Sequence, residues 1–152
     1  MERDTPATNF LVTYRGTVYP LHCDHMGHMN VASYVSKFDE ASWQLMTSLG
    51  LTNARFRQER IGMATVEQQV AYKRELHAGD VVTVRSAVLR ITNRSIHITH
   101  QMQNDDTGDL VASTTIIAVH IDSSTRRARP FPVDVHDRAM ALIGGSPCVS
   151  LS

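Results

Sequence analysis

The chain has 152 residues, 42% hydrophobic and 20% charged, an ordinary balance for one globular domain with a single core. The 15 basic and 15 acidic residues cancel, so the sequence predicts no net field that would attract nucleic acid or a membrane surface. No apolar run is long enough for a membrane span, and the charged start lacks the apolar stretch of a secretory signal. With only Cys23 and Cys148, no disulfide framework is expected, and these features together predict a cytoplasmic protein.

The first regular element is predicted to be a strand. Residues 1–9 are polar and are expected to form a loose lead-in. Residues 10–19 are rich in β-branched and aromatic types, which favour a strand. Pro20 has no N–H to donate and is expected to end the regular ladder.

The second element is predicted to be the longest of the chain. From Asn30 onward, apolar residues recur at three- and four-residue steps, which predicts a helix over about 31–49. Asn30 is a good N-cap, because its side-chain oxygen can accept from the early orphan N–H groups. Gly50 and Leu51 fit a Schellman ending.

The rest of the chain is mostly strand-like. In order, the pattern predicts a connection or short helical turn at 52–60, strands at 63–75, 81–92, 95–103 and 110–121, a short helix at 133–143 and a loose tail at 144–152. Strand 95–103 alternates clearly, with Ile96, Ile98, His100 and Met102 on one face.

A strand, a long helix and four further strands predict an α+β fold in a single domain over 1–152. The economical arrangement is an antiparallel sheet of five to six strands wrapped around the long helix. Because the later strands are joined by short turns, we expect an antiparallel meander, with 110–121 at its centre. A sheet that carries one helix leaves edges that invite a partner subunit.

The stretch between the first strand and the helix, HCDHMGHMN at 22–30, concentrates the reactive side chains. Its histidines, thiol and carboxylate are ligand types for a metal, but their spacing would bring them together only on a helix, and Pro20 and Gly27 favour a loop. Cys23 beside His22 is a possible nucleophile and base, although adjacent residues rarely have the required geometry. In a third interpretation the histidines are solvated loop residues.

A fourth interpretation makes Asp24 the reactive group. An aspartate just before a helix lies near the unpaired amides of the first turn, which together with the helix dipole can stabilise an oxyanion. Gly27 would let the backbone approach a ligand closely. The carboxylate would then attack an acyl carbonyl or activate a water. Spacing alone leaves all four interpretations open.

The stretch from residue 18 to residue 51 resembles the 4-hydroxybenzoyl-CoA thioesterase family of hotdog-fold acyl-CoA thioesterases. The segments that carry the resemblance are CDHMGHMN at 23–30, Tyr34, FDEA at 38–41, LGL at 49–51, YKRELHAGD at 72–80 and TGD at 107–109. The resemblance covers roughly residues 10–122. It implies the hotdog fold, hydrolysis of a small acyl-CoA to free acid and CoA without metal or cofactor, and a homodimer or homotetramer with sites at the dimer interface.

Carried over position by position, the resemblance implies that Asp24 is the catalytic aspartate. The backbone N–H that polarises the substrate carbonyl falls at the helix start, near Val31. His28 and Asn30 match the family's Gly-His-x-Asn positions and are expected to shape the loop or contact the acyl group. The sequence departs from the family at His22, where many members have an earlier aspartate.

The resemblance further implies that basic residues near the third and fourth strands meet the CoA phosphates. The expected substrate-binding residues are Gly27, Tyr34, Lys73, Arg74, Arg90, Arg94 and Ser95.

The string HCDHMGHMN also resembles a subgroup tied to carnitine breakdown, the betainyl-CoA thioesterases. A betainyl group carries a quaternary ammonium, which the aromatic faces of Tyr34, Phe38 and Trp43 can hold. Tyr34 and Phe38 fit the core stripe equally well, whereas Trp43 lies off it. The alternative functions are a non-catalytic hotdog protein that binds an acyl or aromatic ligand and, third, a metal-dependent hydrolase.

Overall fold

A computed structural model describes residues 9–143 of the chain. Its elements are β1 (Leu11–Thr17), a 3₁₀ turn (Pro20–His22), α1 (Val31–Ser48), α2 (Asn53–Glu59), β2 (Ile61–Tyr72), β3 (Val81–Ile91), β4 (Ser95–Asn104), β5 (Leu110–Asp122) and α3 (Val133–Ile143). Apart from residue 9, the tails predicted at 1–9 and 144–152 lie outside the described residues. None of the helices in this part of the chain is both long and apolar enough to cross a membrane.

Helix α1 begins and ends where the sequence predicts. The Asn30 side chain accepts a 2.8 Å hydrogen bond from the Ser33 amide, as an N-cap does. At the other end, the Leu51 amide donates to the Met46 carbonyl at 2.9 Å, and Gly50 has a φ of +99°. This is the Schellman geometry, in which glycine takes the left-handed conformation at low steric cost.

One side of α1 packs on a face of the sheet. Phe38, Ala41 and Leu45 are fully buried there, and Tyr34 and Met46 are nearly so. Burial of each large apolar side chain contributes about 1.5–3 kcal/mol, so this side fixes the helix to the sheet.

The five strands form one antiparallel sheet in the order β1-β3-β4-β5-β2. The predicted α+β hotdog architecture with five strands is therefore confirmed. The expectation of a four-strand meander is wrong at one connection, because β2 pairs with β5 and does not pair with β3. Residues 73–80 form a crossover that carries the chain from one edge of the sheet past two strands, about 14 Å at ordinary strand spacing.

Two strand predictions also need correction. β2 runs over Ile61–Tyr72, so it begins and ends earlier than the predicted 63–75. It ends there because the amides of Lys73 and Arg74 both turn to the carbonyl of Val111, which starts the crossover. β5 is an interior strand, but the middle strand of the sheet is β4.

β1 is shorter than the predicted 10–19, because Val18 already bonds to Gly79 and Asp80 of the crossover. Other local predictions are confirmed. On β4, Ile96, Ile98, His100 and Met102 are buried, as the alternation predicts. α2 occupies the segment predicted as a short helical turn, and α3 coincides with the predicted helix at 133–143.

Candidate active site

The loop between β1 and α1 begins with the 3₁₀ turn, which His22 stabilises. The Tyr19 amide donates to His22 Nδ1 at 2.9 Å, and the His22 amide donates back to the Tyr19 carbonyl at 2.8 Å. Burial lowers the pKa of His22, and the charge of Lys37 lowers it further, against an opposing effect of Glu40. A neutral imidazole with Nδ1 as acceptor fits this contact, so His22 serves here as a hydrogen-bond acceptor for the backbone.

Asp24 opens a tight turn that ends at His28. One carboxylate oxygen of Asp24 accepts from the Met26 amide at 2.9 Å, and its carbonyl accepts from the Gly27 amide at 3.0 Å. Gly27 has a φ of +89°, where a side chain would be strained. The second carboxylate oxygen of Asp24 has no hydrogen-bond partner among residues 9–143, which leaves it available to a ligand.

The two ends of the loop are held together by an antiparallel bridge between Cys23 and Met29. Bridged residues lie about 5 Å apart at their Cα atoms, so Asp24 is brought close to Asn30 and the start of α1. The Asn30 amide also donates to the His22 carbonyl at 2.9 Å. The predicted juxtaposition of Asp24 with the helix start therefore rests on backbone hydrogen bonding.

The crossover, residues 73–80, contacts this loop directly. The Met29 amide donates to the Leu76 carbonyl at 2.7 Å, and Leu76 is fully buried. The His28 ring faces Glu75 at 3.5 Å through Nε2 and the Met29 carbonyl at 3.3 Å through Nδ1. His28 thus ties the turn to the crossover; its role in catalysis or substrate binding stays a prediction.

The first turn of α1, which follows the Asp24 loop directly, offers unpaired donors. The Ser33 amide is capped by Asn30, and the Tyr34 amide reaches the Asn30 carbonyl at 3.4 Å. The amides of Val31 and Ala32 have no acceptor within the described segment. Because the helix dipole adds positive potential there, these amides can hold a carbonyl oxygen that gains negative charge.

A cavity of about 320 Å³ begins at this turn. α1 lines it from Ala32 to Met46, about 21 Å along the helix axis, and β2 lines it from Met63 to Gln68. Apolar side chains of β4 and β5 complete the lining. The volume falls in the range of small-molecule sites. None of residues 22–30 lines the cavity, which meets the first turn of α1 at Ala32, so the candidate active site consists of the Asp24 loop, this first turn and the cavity beyond it.

A chain of buried polar side chains lies behind the cavity wall. His100 is fully buried, and its Nε2 meets the hydroxyl of Ser42, a cavity-lining residue, at 2.8 Å. Its Nδ1 meets the hydroxyl of Ser86, which in turn meets Thr13 at 2.7 Å. Burial lowers the pKa of His100 to about 4, so the ring is neutral near pH 7. The chain fixes Ser42 at the cavity wall.

The other predicted site residues fall into separate regions. Tyr34 is buried at 4% exposure, and its hydroxyl donates to the Arg74 carbonyl at 3.0 Å, which fixes it in the core near the crossover. Lys73 and Arg74 are exposed at the crossover, on the same end of the sheet as the Asp24 loop.

Arg90, Arg94 and Ser95 lie at the opposite end of the sheet. Ser95 pairs with Val119 of β5, whereas Lys73 bonds to Val111, eight residues earlier on that strand. That separation is about 26 Å, so a single chain does not bring these three residues to the loop.

The interpretation of the loop as a metal site is not supported by the arrangement of its side chains. Among the described residues, no group of three or more histidine, cysteine, aspartate or glutamate side chains is placed to hold a metal ion. His22 and His28 are engaged as described above, and His25 is exposed.

Two residues of this region escaped the sequence analysis. Asp39 lines the cavity from α1, and its signal was the stripe of small and polar residues at helical spacing from Ala32 to Met46. Lys37 is nearly fully buried, with its ammonium 3.0 Å from the Tyr14 hydroxyl. Gly16 leaves room for that tyrosine ring, because a Cβ there would overlap the same hydroxyl.

Comparisons with known proteins agree with this architecture. A betainyl-CoA thioesterase of Pseudomonas aeruginosa is 28% identical over 132 residues, which cover 87% of this chain and 83% of that protein. The long-chain acyl-CoA thioesterase FadM of Escherichia coli is 24% identical over 126 residues, 80% of this chain and 92% of that protein. A Staphylococcus aureus protein solved in complex with CoA superposes with a TM-score of 0.86 at 22% identity, covering 99% and 94% of the two chains.

The family follows from a match that spans most of the chain. The profile of the Thioesterase-like superfamily matches residues 18–139, from the residue that follows β1 to within α3. This range contains the Asp24 loop, all of α1 and the cavity. The chain belongs to the Thioesterase-like superfamily, and the family resemblance inferred from its opening motif is confirmed.

Proposed function

We propose that the protein is an acyl-CoA thioesterase that hydrolyses a small acyl-CoA to a free acid and CoA through Asp24. The observation that carries the proposal is the loop geometry. A carboxylate with one unengaged oxygen lies in a loop that backbone bonds tie to the start of α1, where two amides are unpaired, and a cavity begins at the same turn.

In the proposed reaction, the thioester carbonyl oxygen accepts from the amides of Val31 and Ala32, which makes its carbon electrophilic. Asp24 either attacks that carbon or takes a proton from an attacking water. The tetrahedral oxyanion is stabilised by the same amides and then collapses, breaking the carbon–sulfur bond. With water as the nucleophile, the proton held by Asp24 passes to the CoA thiolate and the acyl group leaves as the free acid. With Asp24 as the nucleophile, collapse leaves a mixed anhydride on Asp24, which a second water hydrolyses to the free acid and the original carboxylate.

Thioester hydrolysis as a class is well supported. The superfamily is named for thioesterases, and the P. aeruginosa and E. coli relatives both carry thioesterase names. The prediction of a thioester hydrolase is confirmed at this level, which leaves the non-catalytic binding protein without a supporting feature.

For the acyl group we propose betainyl, on the strength of the 28% identity to the P. aeruginosa protein. The E. coli relative acts, by its name, on long-chain acyl-CoA, so acyl length must be part of the test. A panel of acyl-CoA esters that includes betainyl-CoA, followed with a thiol reagent for released CoA, identifies the preferred substrate.

The main test of mechanism is Asp24→Asn, which keeps size and hydrogen bonding but removes the carboxylate. We expect kcat to fall at least about a hundredfold, because general-base or nucleophilic roles contribute that much or more. Asp106→Asn, at the exposed β4–β5 turn, is the matched control and should retain activity. Full activity in a well-folded Asp24→Asn enzyme would refute the mechanism.

We further propose that catalysis needs no metal or cofactor, because Asp24 and the helix amides supply both the base and the oxyanion contacts. Activity should survive exhaustive treatment with a chelator, with elemental analysis of the same sample as the control. Activity that is lost with the chelator and restored by one added metal would overturn this proposal. The cytoplasmic location stays a prediction.

We propose that two copies pair through β2. β2 is an edge strand of 12 residues, and its exposed positions include Val66 at 61% and Tyr72 at 45% exposure. Antiparallel pairing of β2 with its copy would reverse the strand ends. Arg94 of the partner subunit would then approach the end of this chain that carries Asp24, which supports a shared site with CoA phosphates near Arg90, Arg94 and Ser95.

The oligomer proposal is tested with Val66→Asp, which would oppose like charges near a two-fold axis through β2. We expect a monomer by light scattering and a parallel loss of activity. Val12→Asp is the control, because Val12 lies on the β1 edge of the sheet and its side chain is 50% exposed. This variant should change neither the oligomeric state nor the activity. An oligomer that survives Val66→Asp but dissociates with Val12→Asp would place the interface on the other edge.

A further inference from the structure

We infer that the cavity beside α1 selects an acyl group that carries a fixed positive charge, and that Asp39 and Trp43 are the specificity-determining residues. The inference rests on the proposed thioesterase function and extends it from the reacting carbonyl to the far end of the acyl group.

The charge of the cavity comes from one side chain. Of the described residues that line it, Asp39 alone is charged, and no lysine, arginine or histidine shares the lining. Asp39 is exposed and has no ion-pair partner within residues 9–143. The other polar lining groups are neutral, and the Ser42 hydroxyl is already held by His100. A cationic group entering the cavity would therefore meet an uncompensated carboxylate.

The rest of the lining suits methyl groups around such a charge. Trp43 follows Asp39 by four residues on α1, so the two side chains share one face of the helix. The indole packs edge-to-face with Phe56 at 5.8 Å between centroids and is still 46% exposed, which leaves ring surface open to the cavity. Met46 and Met63 add polarisable thioethers. An aromatic face beside a carboxylate is the usual recognition chemistry for a quaternary ammonium.

The position of Asp39 matches a short acyl chain. Its Cα lies seven residues beyond Ala32, about 10 Å along the helix axis. Helical side chains lean toward the N-terminus, by about 2 Å for a side chain as short as aspartate, which leaves the carboxylate about 8 Å, along the axis, from the first-turn amides. A thioester carbonyl bound at those amides would place a charge a few atoms away within reach of Asp39 and Trp43.

The substrate pair that isolates charge is betainyl-CoA and tert-butylacetyl-CoA, which have the same shape because a quaternary carbon replaces the nitrogen. We expect the native enzyme to prefer betainyl-CoA by about fivefold in kcat/KM, since a contact with an exposed, solvent-screened carboxylate is worth at most about that much. Asp39→Asn should lower kcat/KM for betainyl-CoA about fivefold and change that for tert-butylacetyl-CoA less than about twofold.

Two further variants control for other effects. Glu40→Gln removes the same charge from the next residue of α1, which is exposed and outside the cavity lining, and should leave the preference intact. Trp43→Leu should reduce the preference about threefold or more, and Trp43→Phe should restore part of it. A loss in Asp39→Asn that is equal for both esters would assign Asp39 to catalysis or folding and overturn the inference.

Binding supplies a readout that does not depend on turnover. Trp43 is the single tryptophan of the chain, so its fluorescence reports on the cavity. In the Asp24→Asn enzyme, betainyl-CoA should change Trp43 fluorescence at a lower concentration than tert-butylacetyl-CoA does. In the double variant with Asp39→Asn, the two esters should act at the same concentration.

The two proposals fail in distinguishable ways. A native enzyme that hydrolyses other acyl-CoA esters but shows no preference for the cationic one would refute charge selection alone. An enzyme that hydrolyses no ester of the panel would refute the proposed function.

Discussion

The buried His100 leads to a pH dependence of stability that can be worked out in advance. It lies between Ser42 and Ser86 and stacks on Phe38 with ring centroids 5.8 Å apart. Burial lowers its pKa from 6.5 to about 4. The folded protein therefore keeps this ring neutral under conditions in which the unfolded chain binds a proton.

Proton linkage gives the sign and size of the change in the free energy of unfolding with pH. The contribution of His100 to the free energy of unfolding is complete above about pH 6.5, falls as the pH drops from 6.5 toward 4, and is lost below about pH 4. Each pH unit within that window removes about 1.36 kcal/mol, so the full loss is about 3 kcal/mol. Between about pH 7.5 and about pH 5 the expected loss from this one group is about 2 kcal/mol.

The assay compares the native protein with His100→Gln, which retains polar atoms but does not titrate. Urea unfolding at fixed protein concentration, at about pH 7.5 and about pH 5, gives the free energy of unfolding of both. We expect the native protein to lose about 2 kcal/mol more than the variant over this interval, because titration of the other groups is common to both. Equal losses, or an NMR titration of His100 near pH 6.5, would refute the reasoning.

Two further predictions concern the loop and the strand that precedes it. Asn30→Ala removes the acceptor of the Ser33 amide and should lower the free energy of unfolding by about 1 kcal/mol at an unchanged m-value; an unchanged urea midpoint would contradict the capping role. Gly16→Ala forces a Cβ against the Tyr14 ring and should destabilise by about 1–3 kcal/mol. Gly62→Ala is its control, because a Cβ there meets Ile121 only at ordinary contact distance, and equal effects of the two substitutions would contradict the clash.

Much of the fold could be predicted because its signals are local. The cap at Asn30, the Schellman glycine at Gly50 and the alternation of β4 each depend on residues a few positions apart. The order of the strands depends on residues far apart in sequence. Nothing between Lys73 and Asp80 distinguishes a hairpin from a crossover, because both require a turn and an exit from the sheet.

The candidate site likewise has one part that is local in sequence and another that depends on residues far apart. The Asp24 loop was found because its residues are contiguous and its motif resembles a known family. The cavity could not be predicted, because the stripe from Ala32 to Met46 shows only that these residues share one side of α1 and does not show that this side faces β2. The burial of Lys37 was equally hidden, since its hydroxyl partner lies on β1, 23 residues away.

The crossover has a consequence for recombination among proteins of this fold. Met29 and Val18, at the two ends of the Asp24 loop, bond to the crossover at Leu76 and at Gly79 and Asp80. The crossover, which determines the order of the strands, is therefore also the segment to which both ends of the loop are hydrogen-bonded. A loop transplanted by itself into a related scaffold would lose its backbone contacts, so the smallest transferable unit consists of two separate pieces, 18–30 and 73–80. An insertion in segment 18–30 must keep its bonds to segment 73–80, and the reverse also holds. We therefore expect the lengths of these two segments to change together among members of the family.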